Sequence, residues 1–165
     1  MYWRIGAQYH KRSRNLNRAA FRNIVKRGPP PGLLAFDGDV AVGWCQLTPR
    51  DALPWLNKSW RLKRVDEDPV WALSCFYIRI GYRRRGVTAA LIRAALREAK
   101  RAKAPALEAY PLDATRTPSA SGTGYASTFA RAGFKIVARR TSPRPIMRYE
   151  LMTRLHIPLG LKNYP

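Results

Sequence analysis

Three consecutive arginines, Arg83, Arg84 and Arg85, precede Gly86 between an apolar run and a long helical pattern. Those residue types at such a junction can hold phosphate. The first N–H groups of a helix lack intrahelical partners and point at the preceding turn. The helix dipole adds partial positive charge there. Guanidinium groups reinforce it, and a glycine without a Cβ lets backbone approach an anion closely. Other chemistry is harder to assemble from this chain. His10 lies in a basic entry segment and His156 in the C-terminal tail, neither beside a nucleophile. Cys45 and Cys75 occupy apolar, strand-like runs. They have no metal-ligand spacing and read as buried free thiols. Gly122 and Gly124 lack the strand and the further glycine of a dinucleotide fingerprint, so they read as loop.

The elements that must position the arginine turn are legible around it. Residues 70–80 form an apolar run that predicts a buried strand leading into the turn. After the turn, Thr88, Leu91, Ile92, Ala95, Leu96 and Ala99 share one helical face, and Arg93, Arg97, Lys100 and Arg101 the opposite one. The apolar face should pack on a sheet. Upstream, residues 1–7 predict a short strand. Residues 13–27 predict a helix whose apolar stripe is Leu16, Ala19, Ala20, Ile24 and Val25, stopped by Gly28 and three prolines. Asp37, Gly38 and Asp39 between two apolar runs predict a hairpin. A long connection, 48–69, follows, with a short helix near 51–56. It also holds Asp66, Glu67 and Asp68, the one acidic cluster, which reads as a solvated loop. Downstream come a strand over 106–110 with Glu108 and Tyr110 on one face, a polar loop over 111–124, and a helix over 125–132 ended by Gly133. Strands over 134–138 and 146–151 complete the pattern. The order implies a mixed α/β layer architecture in a single domain, 1–151, with a tail over 152–165.

Composition bounds the function without choosing it. The 165 residues suit one domain, and 46% hydrophobic residues suffice for a core. Against 10 acidic residues stand 31 basic ones, a net charge of +21. That field attracts polyanions: nucleic acid, an anionic membrane surface or a phosphorylated cofactor. No apolar run approaches ~18 residues, so no membrane span is expected, and no secretory signal is apparent. The expectation is a cytoplasmic protein, monomer or homodimer.

The turn and its surroundings resemble the Gcn5-related N-acetyltransferase (GNAT) superfamily. That family carries Q/R-x-x-G-x-G/A between a central strand and a helix; here the residues are Arg83, Arg84, Arg85, Gly86, Val87 and Thr88. A short helix ending in Gly133 and Phe134 and running into a strand is a second likeness, and the element order matches. The resemblance implies a splayed central sheet flanked by helices, with acetyl-CoA in its cleft. It assigns the pyrophosphate to the backbone of Arg83, Arg84, Arg85, Gly86, Val87 and Thr88. It assigns the pantetheine arm to the strand edge at Phe76, Tyr77 and Ile78, with an amide there, Ile78 for choice, polarising the thioester carbonyl. The chain departs from the family in three places. Thr88 stands where glycine or alanine is usual, the 48–69 connection is long, and Phe129 replaces a tyrosine that protonates the leaving thiolate. The first strand also looks short, with 1–5 alone available, which leaves open whether the native N-terminus is longer.

The implied reaction is acetyl transfer from acetyl-CoA to a primary amine, by direct attack on the thioester. An amine of pKa near ~10 must lose a proton, to a base or a water relay. Glu108, on the strand beside the implied splay, is the leading candidate base, with an ion pair to one of the many arginines as the equal alternative. Asp113 on the adjoining loop is the next carboxylate. Tyr110 and Tyr125 are candidate acids, each equally read as a core aromatic. No metal is implied, and the acceptor is not identified. The competing reading is a basic nucleic-acid-binding protein that keeps the fold without catalysis. The two merge in an acetyltransferase acting on an RNA-linked amine.

Overall fold

The computed structural model describes residues 2–113 and 122–152. Its sheet starts at the hairpin. Strand β1, Gly32–Asp37, turns through Gly38, whose φ of +55° suits a residue without a Cβ, into β2, Val40–Pro49. Strand β3, Trp71–Ile78, pairs antiparallel with β2, and β4, Ala106–Ala109, runs parallel to β3. A parallel neighbour requires a crossover, and the helix read from residues 88–101 supplies it. Strand β6, Ile146–Glu150, lies antiparallel to β4, with β5, Lys135–Ala138, outside it. The order is β1-β2-β3-β4-β6-β5. The mixed α/β sheet flanked by helices is the architecture expected from the sequence.

Among the described residues six α-helices flank the sheet: α1, Tyr2–Ile5; α2, Gln8–Lys11; α3, Arg14–Arg27; α4, Pro54–Lys58; α5, Val87–Arg101; and α6, Ala126–Arg131. On one face α5 buries Leu91, Ile92, Ala95 and Ala99 against Leu47, Leu73, Leu107 and Met147. Each large aliphatic side chain buried there contributes roughly 1.5–3 kcal/mol. Helix α6 drives Phe129 into the same core, with ring centroids 6.0 Å from Phe76 and 5.1 Å from Phe134.

The other face is closed by the long connection. Pro54 opens α4, where its missing N–H is no loss. Leu53, Leu56 and Leu62 then seal a second core with Ala72, Tyr110 and Ile146. The segment expected as a strand over 1–7 is helical instead. Helix α1 packs on α4, Trp3 touches the second core, and Arg4 Nη1 donates to Ala52 O at 3.0 Å. Gly6, at φ +58°, turns the chain into α2. Aromatic residues at 2 and 3 suggested a strand, but no strand lies beside them to pair with.

Helix α3 is as expected in extent, with the Ser13 hydroxyl accepting from Leu16 N at 3.3 Å. Its expected stripe docks only in part: Ala20 and Ile24 are half-buried beside Phe21. Leu16 and Val25 remain 61% and 51% exposed, while Phe21 meets Trp44 of β2 edge-on at 5.8 Å.

Helix α5 approaches β2 most closely at Gly43. A Cβ there would lie 2.8 Å from Val87 Cγ1 and 3.2 Å from Ile78 Cδ1. Gly43 therefore sets how near the first turn of α5 comes to the end of β3. Gly43→Val should lower the unfolding free energy by about 1–3 kcal/mol in urea titrations. An unchanged midpoint would mean that the helix start moves aside freely.

Candidate active site

Strands β3 and β4 pair only through Leu73 and Ala109, then separate. At that point β3 is bulged. Cys75 faces Gln46 and Leu73 faces Leu47, which leaves Ser74 as the extra residue. Beyond the bulge, Arg79 N donates to Val42 O at 2.9 Å. Antiparallel alternation then places Tyr77 in a hydrogen-bonded pair with Trp44. The N–H and C=O groups of Phe76 and Ile78 therefore turn away from β2, toward the gap left by β4. The far wall of the gap is a second stretch of backbone. Leu112 N donates to Gly124 O at 3.0 Å, and Ala126 N to Leu112 O at 2.8 Å. The Phe76 and Phe129 rings lie under Gly124 and form the floor.

The open edge of β3 leads into the arginine turn. Gly81, Arg84 and Gly86 have φ of +91°, +60° and +79°, so the turn is built from left-handed residues. Gly86 is the N-cap of α5; no side chain caps that end, and no acidic residue stands in its first turn. Nothing lies within 4 Å of the position a Gly86 Cβ would take. The first N–H groups of a fifteen-residue helix thus face open space. Arg83, Arg84 and Arg85 are exposed, and Arg83 Nε reaches back to Ile78 O at 3.4 Å. Coenzyme A offers a pyrophosphate and a string of amides. A bare helix terminus among arginines, continuous with an unpaired strand edge, fits both parts.

Glu108 lies in a buried charge network, 1% exposed. Arg148 donates to its Oε1 from Nη2 at 2.7 Å and from Nε at 3.2 Å. The Tyr110 hydroxyl donates to Oε2 at 2.9 Å, and Arg50 Nη1 lies 3.4 Å from the same oxygen. The network reaches into the connection. Arg148 Nη1 donates to Asp66 Oδ2 at 2.6 Å, while Arg50 Nη2 donates to Asn57 Oδ1 at 2.8 Å and Leu62 O at 2.6 Å. Of the two readings open for Glu108, the ion pair is the one this geometry favours, since a carboxylate so enclosed offers no face to an incoming amine. Asp66, expected on a solvated loop, is a partner in the same network.

Tyr110 is fully buried and its pKa is held well above the usual value, first by burial and next by the Glu108 charge. Asp113 is ion-paired with Arg139. Tyr125 is half-buried at the N-cap of α6, on the wall of the gap. Burial pushes the Cys45 thiol up to about 12 and raises Cys75 as well, so neither is a ready nucleophile. Much of the polar loop, residues 114–121, and the tail from 153, including His156, lie outside the described residues. Among the described residues no His, Cys, Asp and Glu group is arranged to hold a metal, and no helix is long and apolar enough to cross a membrane.

Sequence reasoning placed the turn and the β3 edge. It did not pair Glu108 with Arg50 and Arg148, or find the bulge at Ser74. The one available signal was an acidic cluster in an otherwise basic chain, which needs a buried or paired setting less often than a solvated one.

Comparison with known proteins agrees with this architecture. Solved structures share the fold at low identity. Salmonella typhimurium yncA, solved with its cofactor acetyl-CoA, aligns with TM-score 0.55 and 16% identity over 86% of this chain and 76% of its own. A Staphylococcus aureus N-acetyltransferase aligns with TM-score 0.55 and 13% identity over 86% and 79%. A Pyrococcus horikoshii protein gives 0.54 and 18% over 88% and 80%. At such identities they establish the fold alone. The sequence profile of the acetyltransferase (GNAT) family matches residues 1–133. The chain belongs to that family. No curated protein matches it by sequence.

The charge network holds the connection to the sheet, so its loss should be felt there first. Glu108→Gln leaves Arg50 and Arg148 facing a neutral amide and should cost about 3 kcal/mol in urea titrations. Amide hydrogen exchange in residues 50–68 should accelerate more than in α5. A folded Glu108→Gln protein with unchanged exchange but no turnover would instead identify Glu108 as the base.

Proposed function

We propose that the protein transfers an acetyl group from acetyl-CoA to a primary amine by direct attack on the thioester. The observation that carries this reading is the continuity of the unpaired β3 edge, at Phe76 and Ile78, with the bare N-terminus of α5 at Gly86. Backbone N–H groups of Arg83, Arg84, Arg85, Gly86, Val87 and Thr88 hold the pyrophosphate, with the arginine side chains around it. The edge at Phe76, Tyr77 and Ile78 holds the pantetheine amides as an added strand would. Bound acetyl-CoA supplies an acetyl group already activated as a thioester. The Ile78 N–H donates to its carbonyl oxygen, where negative charge develops as the amine nitrogen bonds to carbon and the C–S bond breaks.

Two proton movements remain. The leaving sulfur takes a proton, and Phe129, sealed between Phe76 and Phe134, cannot give one. Tyr125 stands one helical turn earlier, at the N-cap of α6, and serves as the donor. Because a thiol has a pKa near ~8.5, this assistance is useful rather than essential. The amine proton leaves to water or to an exposed group. Glu108 and Tyr110 act from the second-core face of the sheet by holding the connection in place, and Asp113 fixes the loop through Arg139.

Isothermal titration with coenzyme A tests the reading. The Gly86 Cβ position is open but its φ of +79° strains any side chain, so Gly86→Ala is the control for strain, and Gly86→Glu should weaken coenzyme A binding by at least ~10-fold relative to it, through its carboxylate at the anion site. Unaltered affinity would overturn the assignment. Tyr125→Phe should lower kcat by roughly tenfold to hundredfold while leaving coenzyme A affinity intact.

A further inference from the structure

A second site lies on the opposite face of the hairpin. Helices α2 and α3 and β2 border an open cavity of about 590 Å³. Its walls carry the cations Arg12, Arg14 and Arg18 and the rings of Tyr9, Phe21 and Trp44. No acidic side chain lines it. The surrounding sequence is equally one-sided: the first 36 residues hold eight lysines and arginines and no Asp or Glu.

Two details point to a ligand. Arg14 occupies the first position of α3, where the helix dipole disfavours a cation, and Arg12 stands two residues before it. That arrangement works against the isolated helix and is relieved by a bound anion. Asn17, on the cavity wall, donates from Nδ2 to Tyr9 O at 2.9 Å. Its buried Oδ1 has no protein partner, a deficit beside the cavity that the protein itself leaves unmet.

We propose that this cavity binds single-stranded nucleic acid, with a base against its rings and the flanking phosphates on Arg12, Arg14 and Arg18. Base faces stack on aromatic side chains and arginines track the backbone wherever single strands are bound without strict sequence preference. A duplex hides its base faces, and an acidic peptide would use the arginines but not the rings. Trp44 is the cross-strand partner of Tyr77, so the two side chains share a face of the sheet. Phe76 and Ile78, at the open edge, are the neighbours of Tyr77 on β3. Nucleic acid held at Trp44 therefore sits at the strand next to the one whose far edge is proposed to hold the thioester. That this nucleic acid bears the acceptor amine rests on the acetyl-transfer reading; that it binds does not.

Fluorescence anisotropy with a labelled eight-nucleotide oligoadenylate, in the absence of acetyl-CoA, tests the binding. The triple variant Arg12→Gln, Arg14→Gln, Arg18→Gln should weaken it by at least ~10-fold and flatten the slope of log K against log salt by about 2. The variant Arg93→Gln, Arg97→Gln, Lys100→Gln removes the same charge from the exposed side of α5 and should have a much smaller effect. Tyr9→Ala, at constant charge, should weaken binding by about tenfold. Equal losses in the two triple variants, no effect of Tyr9→Ala, or equal affinity for a duplex or for polyglutamate would overturn the proposal. Coenzyme A titration of the same proteins should be unchanged. Failure to bind coenzyme A in every protein, wild type included, would count against the donor site and not against this one.

Discussion

Three residues of parallel pairing join the two halves of this sheet. Trp71–Leu73 meet Leu107–Ala109, and among the described residues no strand pairs with β3 beyond them on that side. Buried backbone N–H and C=O groups must be satisfied, so a sheet that parts in its middle leaves an obligation at the gap. The bulge at Ser74 starts the divergence, and the aromatic floor of Phe76 and Phe129 prevents the halves from closing again. The same edge runs into a turn whose left-handed residues aim it at the start of α5. Unpaired edge and uncapped helix are two forms of one deficit, and a ligand with amides and phosphates fills both.

A sheet parted in this way needs support from behind. The second core and the Glu108 network provide it. Removing a carboxylate and two guanidiniums from water is costly, and such a cluster is seldom a net gain over packed apolar residues. Its value here is positional. Arg148 lies on β6, Glu108 and Tyr110 on or just past β4, Arg50 at the end of β2, and Asp66 in the connection. One cluster thus fixes four separate segments at the level where β3 and β4 diverge. Burial works against the Arg148 charge, but the hydrogen bonds it donates to Asp66 and Glu108 raise its pKa, so the guanidinium stays charged.

What could be read from the sequence was local. The arginine turn, α5 and the Asp37–Asp39 hairpin each declare themselves within a few residues, because helical period, a glycine N-cap and an Asp-Gly turn are short-range signals. The family resemblance then supplied the β3 edge. What escaped was set by distant partners. Glu108 meets Arg148 and Arg50 across 40 and 58 residues, and nothing beside Glu108 singles out those two among 31 basic residues. Tyr2 and Trp3 favour a strand intrinsically, yet α4 and the second core offer them a better surface. Phe21 was absent from the expected stripe of α3 because its partner, Trp44, lies on another element.

The charge of the chain bears on the one step for which no enclosed carboxylate is well suited. A site among guanidiniums disfavours an ammonium ion and lowers the pKa of an amine brought into it. Each unit of lowering makes the neutral amine about tenfold more abundant at a pH below its pKa. A field that attracts a polyanionic carrier would therefore also deprotonate a terminal amine that the carrier delivers. Free cationic amines would gain no such advantage, because the same field repels them before they reach the cleft. On the proposed reading, the positive charge acts twice, as the attraction for the carrier and in place of a dedicated base. Glu108 is then free to remain where the structure holds it, locked between two arginines on the second-core face of the sheet.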